Sequence, residues 1–366
     1  MKLIRLISKL LFIAPIIVLI IGFNYYVDPA NIFKGNGYYK DIVSILLKGH
    51  NVAGISNMDE RLLQKEYISR LPEKKDIVVL GPSQIMQINS GMFPGYSFVN
   101  NGVSGASIED DMAMYWMYRK KGFIPSKVLI GLSPWLLNKY NGQARYETLL
   151  QEYNEIMRYI MATDKKQIEA EGVNNKYYEL ISPSYFQSAF WYWIMRIKEK
   201  NGDSEKPYYS THKNEENVGV KHSDGSISYD IKYRSILPSK VYSGAVIAVS
   251  SDPSTPYYSL GKFDRLDPDL IDKFDKFIDL MQKDRVEVIF ILQPYHPEVY
   301  NRLIKISNYR IIVDAEKYFI TYAESNKIRV IGSYNPAVSH LNNSDFLDDQ
   351  HLRQEAINKM HILPKL

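Results

Sequence analysis

The apolar positions of this chain fall into short uninterrupted runs separated by longer amphipathic stretches. Short, largely β-branched runs bounded by turn residues predict buried strands, whereas apolar residues spaced three and four apart predict helices. The predicted strands are 77–80, 96–100, 127–132, 286–292 and 328–331, and the predicted helices include 59–72, 108–121, 267–283 and 352–360. Strands that alternate with helices are typical of a parallel sheet. The pattern therefore predicts an α/β fold with a parallel sheet.

Residues 140–260 interrupt this alternation. Two helices are predicted there, at 146–170 and 183–200, and the second is rich in aromatic residues. The stretch 202–256 is polar and carries turn dipeptides such as Asp224-Gly225. We interpret 140–260 as a mainly helical and irregular insertion that covers or shapes one end of the sheet. Its aromatic helix fits a place in the core, and a platform for sugar rings is the alternative.

The chain begins with three basic residues in its first nine positions, followed by the uncharged apolar run 10–23. With the amphipathic residues 25–27, the uncharged span is about long enough to cross a bilayer. Asp28 follows it, so the distribution of positive charge predicts a cytoplasmic N-terminus and an extracytoplasmic remainder. No small-x-small cleavage site follows Gly22, which favours an uncleaved transmembrane signal anchor over a cleaved signal peptide.

Composition excludes several kinds of site. The chain has 366 residues, a formal net charge of +4 and no cysteine. This charge does not indicate a nucleic-acid partner, and the lack of cysteine excludes disulfides, thiolate nucleophiles and cysteine metal sites. No paired-histidine spacing indicates a metal, and we expect neither a metal nor another cofactor. The 29 tyrosines, against 14 phenylalanines, suit hydroxyl-rich ligands such as glycans and also pack cores.

A sharp turn follows the first predicted strand. Gly81-Pro82-Ser83 closes the run 77–80 and places Ser83 at the carboxyl end of a strand, where reacting groups gather in open α/β sheets. A serine there can expose its hydroxyl as a nucleophile, while backbone N–H groups of the next turn face a developing oxyanion. The alternative interpretation is that Ser83 only caps a helix.

A serine nucleophile needs a base to take its proton. Among the seven histidines, His351 has the most suggestive setting, because it follows the last strand and Asp348 lies three residues before it. A carboxylate at that offset can hold the imidazole in one tautomer and stabilise its charged form. The alternative is a helix start in which Asp348 or Asp349 is the cap and His351 is a solvated residue of the first turn.

Further candidates follow two other strands. Tyr295 and His296 come directly after the fourth strand and are candidates for substrate binding. His296 is also the alternative base, although the neighbouring prolines equally fit a rigid turn. The backbone N–H groups of Ser83 and of Gly102 or Gly105 are candidate oxyanion donors, because glycine allows close approach to a reacting centre. These glycines would otherwise serve only a tight strand-to-helix turn.

The order of these motifs resembles the SGNH (GDSL-like) hydrolase superfamily, in which a serine stands in the first block, a glycine in the second and Asp-x-x-His in the last. The resemblance covers about 77–132 and 286–360. It implies a three-layer α/β/α domain with a parallel sheet. The site residues that it implies are the nucleophile Ser83, the base His351, its orienting residue Asp348 and the oxyanion donor Gly102.

The chain departs from the superfamily pattern in two places. The usual Gly-Asp-Ser stands here as Gly81-Pro82-Ser83. The asparagine of the third block has no clear counterpart, and Asn138 and Asn101 are the two candidates for this oxyanion donor. Loss of one such donor can cost roughly 3 kcal/mol of transition-state stabilisation.

Within the superfamily, the chain most resembles a membrane-anchored extracytoplasmic branch that includes the D-alanine transfer protein of teichoic-acid loci and the alginate O-acetylation proteins. The shared features are one N-terminal anchor, Asp28-Pro29 just outside it and the first block Leu80-Gly81-Pro82-Ser83. The resemblance implies a serine O-acyltransferase or esterase acting on acyl groups, chiefly acetyl, of a cell-surface polysaccharide. The alternative function is a catalytically inactive scaffold that binds glycan or a membrane acyltransferase.

This resemblance divides the chain into five predicted parts. They are a transmembrane signal anchor at 1–27, a connector and helix at 28–76, the first part of the SGNH-like domain at 77–139, the insertion at 140–260 and the second part of the domain at 261–366. The implied location is the cell membrane, with a single pass and an extracytoplasmic C-terminal domain. The implied partners are a cell-surface glycan or other acyl-bearing polymer and a polytopic membrane acyltransferase.

Overall fold

The computed structural model describes residues 2–28, 33, 36–55, 58–161, 208–212, 217–249 and 256–360, with parts of 180–194, and within 2–13 it describes the backbone alone. The strands, numbered along the chain, are β1 (Asn51–Ala53), β2 (Ile77–Leu80), β3 (Phe98–Asn100), β4 (Lys127–Leu132), β5 (Tyr209–Thr211), β6 (Val220–Lys221), β7 (Ile227–Ser228), β8 (Glu287–Leu292) and β9 (Arg329–Gly332). They form two sheets, one parallel and one antiparallel.

The helices surround these sheets. Along the chain they are α1 (Lys2–Val27), α2 (Asn36–Leu47), α3 (Glu60–Arg70), α4 (Ile108–Lys120), α5 (Leu150–Met161), α6 (Ile231–Arg234), α7 (Pro238–Ala248), α8 (Pro268–Lys283), α9 (Pro297–Leu303), α10 (Ile311–Ser325) and α11 (Gln354–Ile357). The connections between them contain several short 3₁₀ turns, including Ser83–Ile85 directly after β2.

The parallel sheet has the strand order β3-β2-β4-β8-β9. The chain leaves β2 first for β3 on one side and then for β4 on the other, so the connections diverge at the carboxyl ends of β2 and β4. In open α/β sheets, a crevice for ligands forms at such a reversal of strand order. The predicted α/β fold with a parallel sheet is confirmed, and β2 is the strand that ends at this point.

The sheet separates two hydrophobic cores, because alternate side chains of a strand point to opposite faces. Val128 and Ile130 of β4 lie in a core shared with α4, α8 and α10, while Leu129 between them lies in the other core. That second core is closed by the turns after β2, by one residue of α7 and by the segment 341–360. Turns and parts of the helices α7 and α11 therefore cover the face on which the resemblance implied a second helical layer.

Helix α8 shows how the apolar spacing sets the packing. Asp267 caps the helix by accepting hydrogen bonds from the N–H groups of residues 269 and 270. Phe274 faces the sheet and packs against Phe290 of β8, with ring centroids 5.6 Å apart. Burying an aromatic side chain of this size contributes about 2–3 kcal/mol to folding. The helix predicted at 267–283 is confirmed to within one residue.

The insertion differs from its prediction. The polar stretch 202–256 holds three strands and two helices among its described residues, and β5 and β6 pair antiparallel with β1 in the order β5-β1-β6-β7. Strands of two or three residues carry almost no periodicity, which is why this small sheet was not predicted. The helix α2, within the predicted connector 28–76, was also missed.

Two predicted helices of the insertion lie partly outside the described residues. The one at 146–170 is observed as a 3₁₀ turn followed by α5, and residues 162–179 are not described. Of the aromatic helix at 183–200, Tyr185 is buried, whereas Phe190 and Trp193 are about two-fifths exposed. The placement of this segment in the core is therefore correct for Tyr185 alone among these three.

Helix α1 occupies the position of the predicted anchor 1–27. Among the residues that the structure describes, no helix combines the length and the apolar character needed to span a membrane. The C-terminal half of α1 packs against the insertion through Phe23, whose ring lies 5.4 Å from that of Phe186. The transmembrane anchor stays a prediction.

Candidate active site

The turn after β2 depends on a glycine whose backbone conformation other residues rarely adopt. Gly81 has φ = +130°. A Cβ atom at this position would lie 2.8–2.9 Å from the backbone of Gly131 in the neighbouring strand. Only glycine at this position therefore allows the turn after β2 to pass so close to the backbone of β4. The turn then presents Ser83, half-buried, as the first residue of a 3₁₀ turn at the carboxyl edge of the sheet.

A tight loop holds the histidine after β9. Leu347 N donates to the carbonyl of His351 at 2.8 Å, and Phe346 and Leu352 form an antiparallel bridge. Inside this loop, Asp348 Oδ1 accepts the backbone N–H of His351 at 2.7 Å. The final helix predicted at 352–360 is wrong in extent, because α11 begins only at residue 354. His351 thus lies in a loop rather than in a first helical turn.

The structure brings Ser83, His351 and Asp348 together. Ser83 Oγ lies 2.8 Å from His351 Nε2, and His351 Nδ1 lies 2.8 Å from Asp348 Oδ2. Burial opposes ionisation of Asp348, but hydrogen bonds from His351 and Tyr233 outweigh it and lower the pKa of this carboxyl to about 2. The carboxylate only accepts, so the neutral form of His351 carries its proton on Nδ1 and offers the Nε2 lone pair to Ser83.

Two tyrosines of the insertion complete this side of the site. Tyr233 donates its hydroxyl to Asp348 Oδ2 at 2.5 Å. The ring of Tyr229 stands edge-on to that of His351 with centroids 6.4 Å apart. Sequence reasoning missed both residues. Nothing local distinguishes them from the other tyrosines of the insertion, and only the fold brings them to the sheet edge.

The predicted oxyanion donors differ in how they are bonded. Within the turn at Ser83, the first N–H used internally is that of Ile85, which donates to Pro82 O at 3.1 Å. The N–H groups of Ser83 and Gln84 precede it, as the first donors of a helical turn do. Gly102 N, in contrast, donates to Asn100 Oδ1 at 2.8 Å. The backbone of the nucleophile turn is therefore the better-placed part of a candidate oxyanion hole.

The side chain of Asn100 connects the turn that carries Ser83 to the loop that begins at Gly102. Its side-chain amide donates to the carbonyls of Ile85 and Ile88 at 2.8 and 2.9 Å, while its oxygen accepts from Gly102 N. All three partners belong to the loops that shape the site. Its position at the end of β3 was a signal that it lies near the site, but its role could not be distinguished from that of the adjacent Asn101.

The side chains of both candidate third-block asparagines are bonded to the scaffold. Asn101 is fully buried, donates to Gln64 and accepts from the hydroxyl of Tyr118, each at 2.6 Å. Asn138 donates to backbone carbonyls of the turn 259–261 at 3.0 and 3.2 Å. With their amide groups committed in this way, the geometry gives no support to Asn101 or Asn138 as oxyanion donors.

His296 lies next to the loop that carries Asp348, since its backbone N–H donates to the carbonyl of Asp349 at 3.0 Å. His296 is fully buried and accepts the N–H of Glu298 on Nδ1 at 3.2 Å, as the cap of α9. Burial lowers the pKa of His296, which keeps its ring neutral. Tyr295 is also buried. The cap formed by His296 supports the rigid-turn interpretation of that residue, and the burial of both side chains gives no support to substrate binding. Gly105, the other glycine proposed as an oxyanion donor, is packed against the side chains of Arg145 and Tyr258.

Among the residues that the structure describes, no group of three His, Asp or Glu side chains is arranged to hold a metal ion. No family model matches this chain, and no curated protein matches it. Fold and site define the protein as an α/β protein with a parallel five-stranded sheet and a hydrogen-bonded serine–histidine–aspartate set at the carboxyl edge of that sheet.

Proposed function

We propose that this protein is a serine esterase or O-acyltransferase acting on acyl groups, chiefly acetyl, of a cell-surface polysaccharide. The observation that carries the proposal is the continuous hydrogen-bonded chain from Ser83 through His351 to Asp348. A serine hydroxyl, an imidazole of fixed tautomer and a half-buried carboxylate in this order make the arrangement used for nucleophilic acyl transfer. The resemblance to SGNH hydrolases, with its glycan-modifying members, supplies the substrate class.

The geometry supports a two-step mechanism. Ser83 Oγ attacks the ester carbonyl as His351 Nε2 takes its proton, and Asp348 stabilises the imidazolium that forms. The oxyanion faces the N–H groups of Ser83 and Gln84. His351 then protonates the leaving alkoxide as the tetrahedral intermediate collapses to acyl-Ser83. In the second step, His351 deprotonates a sugar hydroxyl or water that attacks the acyl-enzyme and regenerates Ser83.

A position at the cell surface is part of the proposal. Helix α1 would be a single-pass signal anchor with the site on the extracytoplasmic side. Support comes from the charge distribution of the sequence and from the apolar C-terminal half of α1, where Val18, Leu19 and Tyr26 are about two-thirds exposed or more. A cell-surface glycan would be the acyl acceptor or donor, and a polytopic membrane acyltransferase would be the partner that supplies activated acyl groups.

The direct test is acylation of the full-length protein by an activated acetyl ester such as p-nitrophenyl acetate. We expect a mass gain of one acetyl group on Ser83, or ester turnover. The Ser83→Ala variant should lose at least roughly 10³-fold in rate, because no other group takes the nucleophile's place. Ser90→Ala, which removes an exposed serine from the same loop region, is the matched control and should behave like the wild type. Equal acylation of wild type and Ser83→Ala would contradict the mechanism.

A catalytically inactive scaffold is the second candidate function. The observation that favours it is the engagement of Gly102 N and of both candidate asparagines in other hydrogen bonds. In this case a folded wild-type protein would show neither adduct nor turnover with the ester and would still bind acetylated polysaccharide in a sedimentation assay.

A further inference from the structure

The insertion supplies a hydrogen bond to the carboxylate of the candidate active site. Tyr233 lies on α6, and its hydroxyl donates to Asp348 Oδ2 at 2.5 Å. The same oxygen accepts from His351 Nδ1 at 2.8 Å. One carboxylate oxygen thus receives two donors, one from the loop that carries the base and one from a segment more than 100 residues away in the chain.

The position of Tyr233 is fixed at both ends of its helix. Asp230 caps α6 and accepts the N–H of Tyr233 itself at 2.9 Å. The guanidinium of Arg353, two residues after His351, donates to the carbonyls of Arg234 and Ile236. Because Arg353 ties the end of α6 to the segment that carries the base, Tyr233 and His351 belong to one locally rigid unit.

We propose that Tyr233 is a positioning residue for the acyl transfer described above, holding Asp348 in the orientation that directs His351 Nε2 at Ser83. This inference rests on the proposed function. Without Tyr233, Oδ2 would accept from His351 Nδ1 alone, whereas two donors to Oδ2 and two backbone donors to Oδ1 together fix both oxygens of the carboxylate.

Tyr233 can play this part over a wide pH range. Burial and the neighbouring Asp348 carboxylate raise the pKa of its hydroxyl above the ordinary value. The phenol therefore stays protonated and acts as a donor. Its hydrogen bond also stabilises the ionised form of Asp348, so its removal makes the carboxylate more basic.

Other titratable groups surround Asp348 and bear on any pH profile. They are His351 and Asp349 on the same loop, Tyr229 and Tyr233 from the insertion, Tyr257 from the stretch before α8, and His296 before α9. Among them, Tyr257 provides a matched control. Its hydroxyl donates to Asp349 Oδ2 at 2.6 Å, the same contact on the adjacent carboxylate.

The experiment compares Tyr233→Phe and Tyr257→Phe in the full-length protein, with p-nitrophenyl acetate as the probe. For Tyr233→Phe we expect kcat to fall roughly 10-fold with KM unchanged, because a charge-assisted hydrogen bond is lost in the relay and not in substrate binding. The acid limb of its pH–rate profile should move to higher pH. Tyr257→Phe should melt at lower temperature while its pH–rate profile coincides with that of the wild type.

A second readout does not depend on turnover. The ¹H and ¹⁵N shifts of the His351 Nδ1–H group report its hydrogen bond to Asp348, and Tyr233→Phe should change them because Asp348 Oδ2 then accepts from His351 alone. An unmoved acid limb together with unchanged Nδ1–H shifts would overturn the positioning role, as would the same kinetic change in Tyr257→Phe. A folded wild type that the ester does not acylate would instead contradict the proposed function, and the Nδ1–H shifts alone would then decide whether Tyr233 positions Asp348.

Discussion

The half of the site that would transfer protons and the half that would face an oxyanion differ in where their hydrogen bonds go. Ser83, His351 and Asp348 are bonded to one another. Gly102 N and the amide of Asn101 are bonded to the scaffold. The first half is a relay of side chains that needs no rearrangement, whereas the second half depends on the backbone of one 3₁₀ turn. Variants can test whether this division is real.

The largest effect is expected for Asp348→Asn. An asparagine at this position can donate its amide to His351 Nδ1, which moves the ring proton to Nε2 and removes the acceptor for Ser83. We expect the rate of Ser83 acylation to fall about 10³- to 10⁴-fold with the fold intact. Stopped-flow acylation with a chromogenic ester measures it. Asp349→Asn is the control, since the Asp349 carboxylate is bonded to Tyr257. Equal losses in the two variants would break the distinction between these neighbours.

A smaller, mixed effect is expected for Asn100→Ala. It leaves the buried carbonyl of Ile88 and the N–H of Gly102 without their partner and removes one of the two donors to the carbonyl of Ile85, which should lower the free energy of unfolding by about 2–4 kcal/mol. Acylation of the folded fraction should slow as well, because the turn at Ser83 loosens. Urea unfolding and acylation rates measure the two parts.

Asn101→Ala is the control for Asn100→Ala. It loses its bonds to Gln64 and Tyr118 and should be destabilised to a similar degree. Its acylation rate per folded molecule should stay near that of the wild type. A selective loss of rate in Asn101→Ala would contradict this expectation and would indicate that Asn101 is an oxyanion donor.

The smallest effect concerns stability as a function of pH. The pKa of Asp348 is lowered to about 2 in the folded protein, so the unfolded chain binds this proton at higher pH. The stability contributed by the ionised group is complete above about pH 4 and is lost as the pH falls towards 2. With side-chain exposure of 31%, we expect about 1–2 kcal/mol. Urea titrations from pH 2.5 to 6 should show a flatter slope for Asp348→Asn.

Asp349 gives the opposite sign in the same experiment. Burial and the adjacent Asp348 raise its pKa, so the neutral form is favoured by folding and stability is lost as the pH rises through the folded pKa. Asp349→Asn should therefore steepen the net loss of stability at low pH. Slopes that change in the same direction in both variants would contradict this assignment.

The parts of the molecule that the sequence predicts well are those specified locally. The strands β2 and β4 are continuous apolar runs, and Ser83 follows β2 by three residues, while the Asp348–His351 pair begins 16 residues after the end of β9. Because the carboxyl ends of parallel strands share one edge, the fold then brings these residues together.

The parts that could not be predicted depend on contacts between distant segments. β1 pairs with β5 across about 160 residues, and each strand is too short to show a period of two. Likewise, whether Asn101 faces the site or the scaffold depends on the hydroxyl of Tyr118 and on Gln64, which no local pattern connects to it. The contact of Tyr233 with Asp348 likewise depends on where the insertion packs, which no local pattern shows.

Under the proposed mechanism, the separation of the nucleophile from its base delays the onset of activity during synthesis. Ser83 and His351 are 268 positions apart. A ribosome that adds roughly 5–20 residues per second exposes the nucleophile turn many seconds before the base exists. During this interval the serine is an ordinary alcohol, and a nascent or truncated chain cannot acylate itself or its surroundings through this relay. Under the proposed mechanism, the relay is complete only once residues 348–351 have been added and have folded against Ser83.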